Sequence, residues 1–168
     1  MRQPHRTIQV VAALLRCDEN LLLVEQQGPV DPLPTWALPA GVGQPGELLA
    51  ETLVRELREE TGLQVLTIGR LAYLAQRQAP AVSTLAFVFE VERWGGELRS
   101  ADPEGLVRTA CFMPLPQALA RLEALPWRAM REPLVAYLRG EVPAGATWLY
   151  RSLLDGSDQL VACLGAVL

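Results

Sequence analysis

Lysine is absent from this 168-residue chain: all fifteen basic residues are arginines. Walker-type phosphate loops, Schiff-base enzymes and protein kinases each depend on a lysine, so these classes are excluded. Histidine is reduced to His5, in a polar N-terminal stretch, which leaves serine and cysteine triads and histidine-based zinc sites without an imidazole. Cysteine is sparse: Cys17, Cys111 and Cys163 lack the close pairing of zinc ribbons or redox motifs and read as reduced, buried thiols. Long apolar runs are missing too. The run at residues 10–15 stops at Arg16, and the run at 160–168 falls far short of the ~20 residues that span a bilayer. Basic charge is not in excess, since fifteen arginines face nineteen acidic residues for a net charge of -4. Such a balance gives no electrostatic footprint for duplex nucleic acid or anionic lipid. The expectation is a cytoplasmic protein with no membrane or duplex nucleic-acid partner, in which acid–base work falls to carboxylates.

What the chain does have is enough apolar residue for a core. With 50% hydrophobic residues it reads as one domain, with a core at about 5–140 and a C-terminal extension at about 145–168. Folding should bury roughly 70% of the unfolded surface, so neither disulfide nor metal is needed to hold it. Residues 7–15 and 21–26 read as a strand pair, and residues 28–39, with four prolines, as an irregular loop. A helix is predicted over 47–60, with Leu49, Leu53 and Leu57 at helical spacing and Gly62 as its stop. Strands are predicted at 63–75, 82–93 and 107–113, and helices at 115–125 and 132–139. A terminal hairpin is predicted at 147–153 and 159–164, turning at Asp155-Gly156. That hairpin could extend the sheet, cover a site or build a homodimer interface.

The helix over 47–60 carries chemistry. At 100° per residue, Glu59 and Glu60 fall about -60° and +40° from Glu56, so three carboxylates share one narrow face. Leu49 and Leu53 fall at about +20° and +60°, so the acidic cluster overlaps the apolar stripe instead of opposing it. Like charges four residues apart cost roughly 0.2 to 0.5 kcal/mol on an exposed helix, and burial raises that cost. A divalent cation relieves the conflict, and carboxylate oxygens suit Mg²⁺ or Mn²⁺, which commonly bind through one or two carboxylates plus substrate phosphate oxygens. The competing reading is a solvated acidic face paired with Arg55 and Arg58.

Residues 41–63 resolve the choice. They read G-VGQPG-E-LLAETLV-RE-L-R-EE-T-G-L, which matches G-x5-E-x7-R-E-U-x-E-E-x-G-U, with U apolar, at every specified position. In this the chain resembles the Nudix hydrolases. The resemblance implies an α/β fold of the α+β type, a mixed β-sheet between helices, to which the C-terminal β-hairpin is added. It implies hydrolysis of the diphosphate linkage in a nucleoside diphosphate joined to another group, with Mg²⁺ or Mn²⁺ required. Glu56 and Glu60 match the family's usual metal ligands, Glu59 matches a ligand or the base that activates water, and the Ala40 carbonyl matches one that often joins the metal shell. Arg55 and Glu47 match a pair that orients the catalytic carboxylates. Glu104 sits where many members carry a further acidic ligand or base, with Asp102 as the fallback.

Outside the carboxylates, Gly41, Trp36 and Arg77 are the candidates for contact with substrate. Trp36 could stack on a base or pack in the core, and Arg77 could reach a phosphate or be a surface arginine. Trp94, Trp127 and Trp148 read as packing residues. ADP-ribose or another nucleotide sugar is the favoured substrate, with nucleoside triphosphates and dinucleoside polyphosphates behind it. Residues 41–46 also spell G-x-G-x-x-G ahead of a helix, but Pro39 stands where a dinucleotide-binding fold needs a central strand, and that fold gives no reason for the carboxylates. A Nudix-like module that senses a nucleotide without cleaving it would not need an intact box, and an isomerase on the same fold ranks third.

Overall fold

A computed structural model describes residues 5–28, 31–99 and 102–165. The chain runs β1 (Arg6–Leu14), β2 (Arg16–Cys17), β3 (Asn20–Gln26), β4 (Thr35–Ala37), β5 (Ala40–Val42), α1 (Leu49–Thr61), β6 (Gln64–Gln78) and β7 (Val82–Gly95). It continues through β8 (Val107–Pro114), α2 (Leu115–Glu123), α3 (Arg128–Leu138), β9 (Ala146–Ser152) and β10 (Asp158–Leu164). Two sheets result. Six strands lie in the order β10-β9-β6-β7-β1-β5, mixed because β1 pairs parallel with β7 and β6 parallel with β9. The second sheet joins β2, β3 and β4, with β8 antiparallel to β3.

Strand alternation explains why helices cover both faces. Along β1 and just beyond it, Val11, Ala13 and Leu15 point to one side and Ala12 and Leu14 to the other, as a period of two requires. The first set packs with Leu53 and Leu57 of α1 and with Leu63. The second packs with Ala118 and Leu122 of α2, Leu134 and Leu138 of α3, and Tyr73 and Trp148. The sheet between helices and the added hairpin β9–β10 are as expected, with Leu153 N–H donating to Ser157 O across the Asp155-Gly156 turn.

Four expectations need correction. The loop over 28–39 is not wholly irregular: Thr35–Ala37 pairs antiparallel with β3 as an edge strand, where neighbouring prolines are tolerated. The 16–20 interruption holds the short β2, which folds back on Leu21 and Asn20 through Asp18 at φ 53°. Helix α3 begins at Arg128, four residues before the predicted start. The Arg128–Glu132 ion pair and the bond from Arg131 N–H to Trp127 O extend the helix back, so Pro133 lies inside it. The cysteines are half-buried rather than buried.

Gly62 closes α1 at φ 76°, in the left-handed region, with its N–H on Arg58 O at 2.9 Å. A Cβ there would sit 2.7 Å from Arg99 Cγ and 2.9 Å from Glu97 O. Gly62→Ala should therefore cost about 1–3 kcal/mol, more than the conformational penalty alone, read as a lower denaturant midpoint at unchanged m.

Candidate active site

The carboxylates of α1 are held by one guanidinium. Arg55 forks onto Glu47, Nε to Oε1 at 2.7 Å and Nη2 to Oε2 at 2.9 Å, while Nη2 also donates to Val42 O at 3.1 Å. Its remaining nitrogen, Nη1, donates to Glu56 Oε1 at 2.6 Å and Glu59 Oε2 at 3.3 Å. Glu47 further accepts Thr52 Oγ1 and Gln44 N–H at 2.9 Å each, so it is fixed on both oxygens. The Arg55 fork, with help from Gln44, holds the Glu47 carboxyl down at about 2, and the same bond raises the pKa of Arg55.

Glu60 lies deepest, at 7% exposure. It accepts the Ala40 N–H on Oε2 at 2.9 Å. Burial pushes its pKa up to about 8, helped by the negative charges of Glu56, Asp102 and Glu104 and opposed by the Ala40 bond. Burial also raises Glu56, with Arg55 opposing and Glu59 and Glu104 adding to the rise. These effects place Glu104 within electrostatic reach of both α1 carboxylates. Asp102 has a different task, capping its own loop: Oδ1 accepts Glu104 N–H at 3.0 Å and Oδ2 accepts Leu106 and Val107 N–H at 2.7 and 2.8 Å. Between the two, Glu104 has the carboxylate to spare.

Strand β5 passes directly over this cluster. A Cβ on Gly41 would fall 1.9 Å from the Glu56 carboxyl carbon, so any side chain there would displace the Glu56 carboxylate. Gly43 N–H bonds Gln9 O and Ala13 N–H bonds Pro39 O, so Ala40, at the alternate phase, turns its peptide groups away from β1 toward Glu60.

Among the described residues, no three His, Cys, Asp or Glu side chains are arranged to hold a metal ion as they stand, and Arg55 lies on Glu56 and Glu59. The donors nevertheless fit a hard divalent cation. They are oxygens, they are crowded and partly buried, and Mg²⁺ takes one or two carboxylates with water and substrate oxygens instead of an all-protein cage.

Beside the carboxylates, and sharing Ala40 with them, opens a largely apolar cavity of about 400 Å³. Tyr73, Arg77, Trp127, Met130 and Asp158 are among its walls. Of the residues predicted to contact substrate, Gly41 lies against Glu56 and Arg77 lines this cavity. Trp36 instead packs on the main core and is not part of the cavity wall. Trp127, predicted as a packing residue, is 42% exposed at the cavity, a correction that follows from its place as the N-cap of α3. Trp94 stacks on Phe112, and Trp148 is buried. The sequence reading missed Asp158, since a lone Asp in a hairpin carries no motif.

A family model, the NUDIX domain, matches residues 5–136. The chain belongs to the NUDIX family. Among curated relatives, this Nudix hydrolase is 30% identical over 102 residues to the CTP pyrophosphohydrolase of Escherichia coli, covering 61% of this chain and 75% of that protein. It is 35% identical over 100 residues to the 8-oxo-dGDP phosphatase NUDT18 of Mus musculus, covering 58% of this chain but 30% of that protein. It is also 32% identical over 94 residues to the ADP-ribose pyrophosphatase of Methanocaldococcus jannaschii, 55% of this chain and 54% of that one. The MutT protein of Bacillus halodurans shares its fold, with a TM-score of 0.67 at 19% identity over 93% of this chain and 95% of that one. Nudix hydrolases generally need divalent metal ions and act on nucleotide derivatives. No helix among the described residues is long and apolar enough to cross a membrane.

A carboxyl whose pKa is raised on folding binds its proton more tightly in the native state, so stability falls as pH rises through the window between the two values. For Glu60 that window runs from 4.5 to about 8. Metal-free protein should lose on the order of 5 °C in Tm between pH 5 and pH 8. Glu60→Gln should flatten that slope and melt higher than the parent at pH 8, as read by a chelated thermal scan.

Proposed function

We propose that the chain hydrolyses the diphosphate linkage of a nucleoside diphosphate joined to another group, with ADP-ribose or another nucleotide sugar as the first substrate and nucleoside triphosphates second. One observation carries this reading: Glu60 of the carboxylate cluster and the apolar cavity meet at Ala40, so a charged diphosphate and an uncharged ring system find adjoining places. The cavity is of a size that suits a nucleoside moiety. The relatives named for CTP, 8-oxo-dGDP and ADP-ribose all act on nucleotide diphosphate bonds, which supports the class without selecting among them.

Glu56 and Glu60, with the Ala40 carbonyl, would hold Mg²⁺ or Mn²⁺, and Glu59 would complete the shell or take the proton of the attacking water. When bound, such an ion neutralises charge on the phosphate oxygens and lowers the pKa of water. Arg55, anchored by Glu47, keeps the α1 carboxylates in register and blunts their repulsion. Glu104, whose charge is felt at Glu56 and Glu60, would supply a further carboxylate from the loop before β8 as ligand or base. The crowding supports this assignment, because carboxylates are not gathered in a half-buried cluster without an electrostatic use.

The test is a hydrolysis panel of ADP-ribose, nucleotide sugars, dinucleotides and nucleoside triphosphates with Mg²⁺ and then Mn²⁺. Glu56→Gln and Glu60→Gln should each lower kcat at least about 100-fold. Turnover that survives both would sink the reading, and nucleotide binding without turnover on any substrate would favour a sensing module.

Three further variants separate geometry from folding. Gly41→Ala pushes the flexible end of Glu56 aside, so kcat should fall at least about tenfold while stability changes by no more than about 1 kcal/mol. Glu104→Gln should lower kcat with no change in Tm, whereas Asp102→Ala, which deprives three backbone N–H groups of their acceptor, should lower Tm.

A further inference from the structure

The cavity beside the carboxylates is apolar except at one corner, where a carboxylate enters it from outside the matched family domain. Asp158 opens β10, beyond residue 136 where the family match ends. Its side chain is 7% exposed, and Oδ1 accepts Arg77 Nε at 2.7 Å. Arg77 is fixed in turn, because Nη2 donates to Ser152 Oγ at 2.7 Å on the neighbouring strand β9. Arg77 is thus tied to the hairpin and positions Asp158. A carboxylate paired with a guanidinium is acceptor-only, and Arg77 claims one oxygen. Asp158 is among the residues lining this mostly apolar wall, where a polar atom costs free energy unless a donor reaches it.

We infer that Asp158 is a specificity residue that accepts a hydrogen bond from an exocyclic amino group on the substrate's base. The inference rests on the reading of the cavity as the place of the nucleoside moiety. Two features of the cavity support it. The cavity shares Ala40 with the carboxylate cluster, so a substrate whose diphosphate lies there can extend its base toward β6 and β10. Trp127 and Met130 of the α3 side offer soft, flat surface against which a ring can lie. The ring gains apolar contact, and Asp158 is the acceptor that sorts one ring from another. A site with a fixed buried acceptor rejects a ligand lacking the donor far more strongly than an apolar pocket rejects a change of size.

Binding is the first measurement, since it needs neither metal nor turnover. The full chain is titrated calorimetrically with AMP, CMP and GMP, each against the analogue in which hydrogen replaces the exocyclic amino group. At least one amino form should bind tenfold or more tightly than its analogue. In Asp158→Asn the amide oxygen keeps Arg77 and turns its NH2 toward the cavity, so that preference should shrink to threefold or less. No binding by any pair, equal binding within each pair, or an unchanged preference in Asp158→Asn would each overturn the inference. If Asp158→Asn does not fold, Asp158→Ser, which keeps an oxygen at the site but loses the charge, replaces it with the same expected loss of preference.

A hydrolysis arm on the unmodified chain separates this claim from the one beneath it. Amino preference in binding without hydrolysis of any substrate supports the role of Asp158 and counts against the hydrolase reading. Hydrolysis without amino preference does the reverse.

Discussion

One arginine makes the carboxylate helix possible. Arg55 meets Glu47 with two nitrogens and Glu56 and Glu59 with the third, and it does so half-buried, where each charge it meets would otherwise repel the next. A lysine in its place would offer a single point charge and could not serve three carboxylates along fixed directions. Glu47, pulled well below the ordinary carboxylate range by that fork, is the fixed end of the arrangement. Glu60 is the opposite extreme: deeper, uncompensated by any cation within bonding distance, and held near neutrality by burial and by the charges around it. From Glu47, just before α1, to Glu60, near its end, the same side-chain chemistry is therefore tuned in both directions.

The sheet gives this cluster its setting. Because residues of β1 alternate, one face of the sheet receives α1 and the other receives α2 and α3, and β5 crosses the edge between the two environments. Ala40 and Gly41 are consecutive on that edge strand. The first gives its N–H to Glu60 and borders the cavity, and the second allows the backbone to touch Glu56. The charged and apolar halves of the site are joined through two small residues, where any larger side chain would separate them.

The parts legible in the sequence were those set by local geometry. Residue spacing on a helix fixes which glutamates share a face, and the overlap with Leu49 and Leu53 already implied that Glu60 would be drawn inward. Helix and long-strand positions followed from their periodicity. Short strands did not, because β2 and β4 owe their extended form to β3 beside them and carry no pattern of their own. The start of α3 lay earlier than predicted, because the Arg128–Glu132 ion pair that extends it carries no apolar periodicity. The cavity was invisible for a deeper reason: Tyr73, Arg77, Trp127 and Asp158 meet through strand pairing and helix packing between distant segments, and no spacing rule connects them. The same distance explains why Arg77 could be named but its partner could not.

The parallel pairing of β6 with β9 also sets an order of events in time. Arg77 and Asp158 lie 81 residues apart, and a parallel partner can arrive only after the crossover through α2 and α3 has been laid down. During synthesis the carboxylate helix and its arginine leave the ribosome long before the strand that completes the cavity wall. A chain halted between them would carry the whole α1 carboxylate cluster and lack one wall of the cavity beside it.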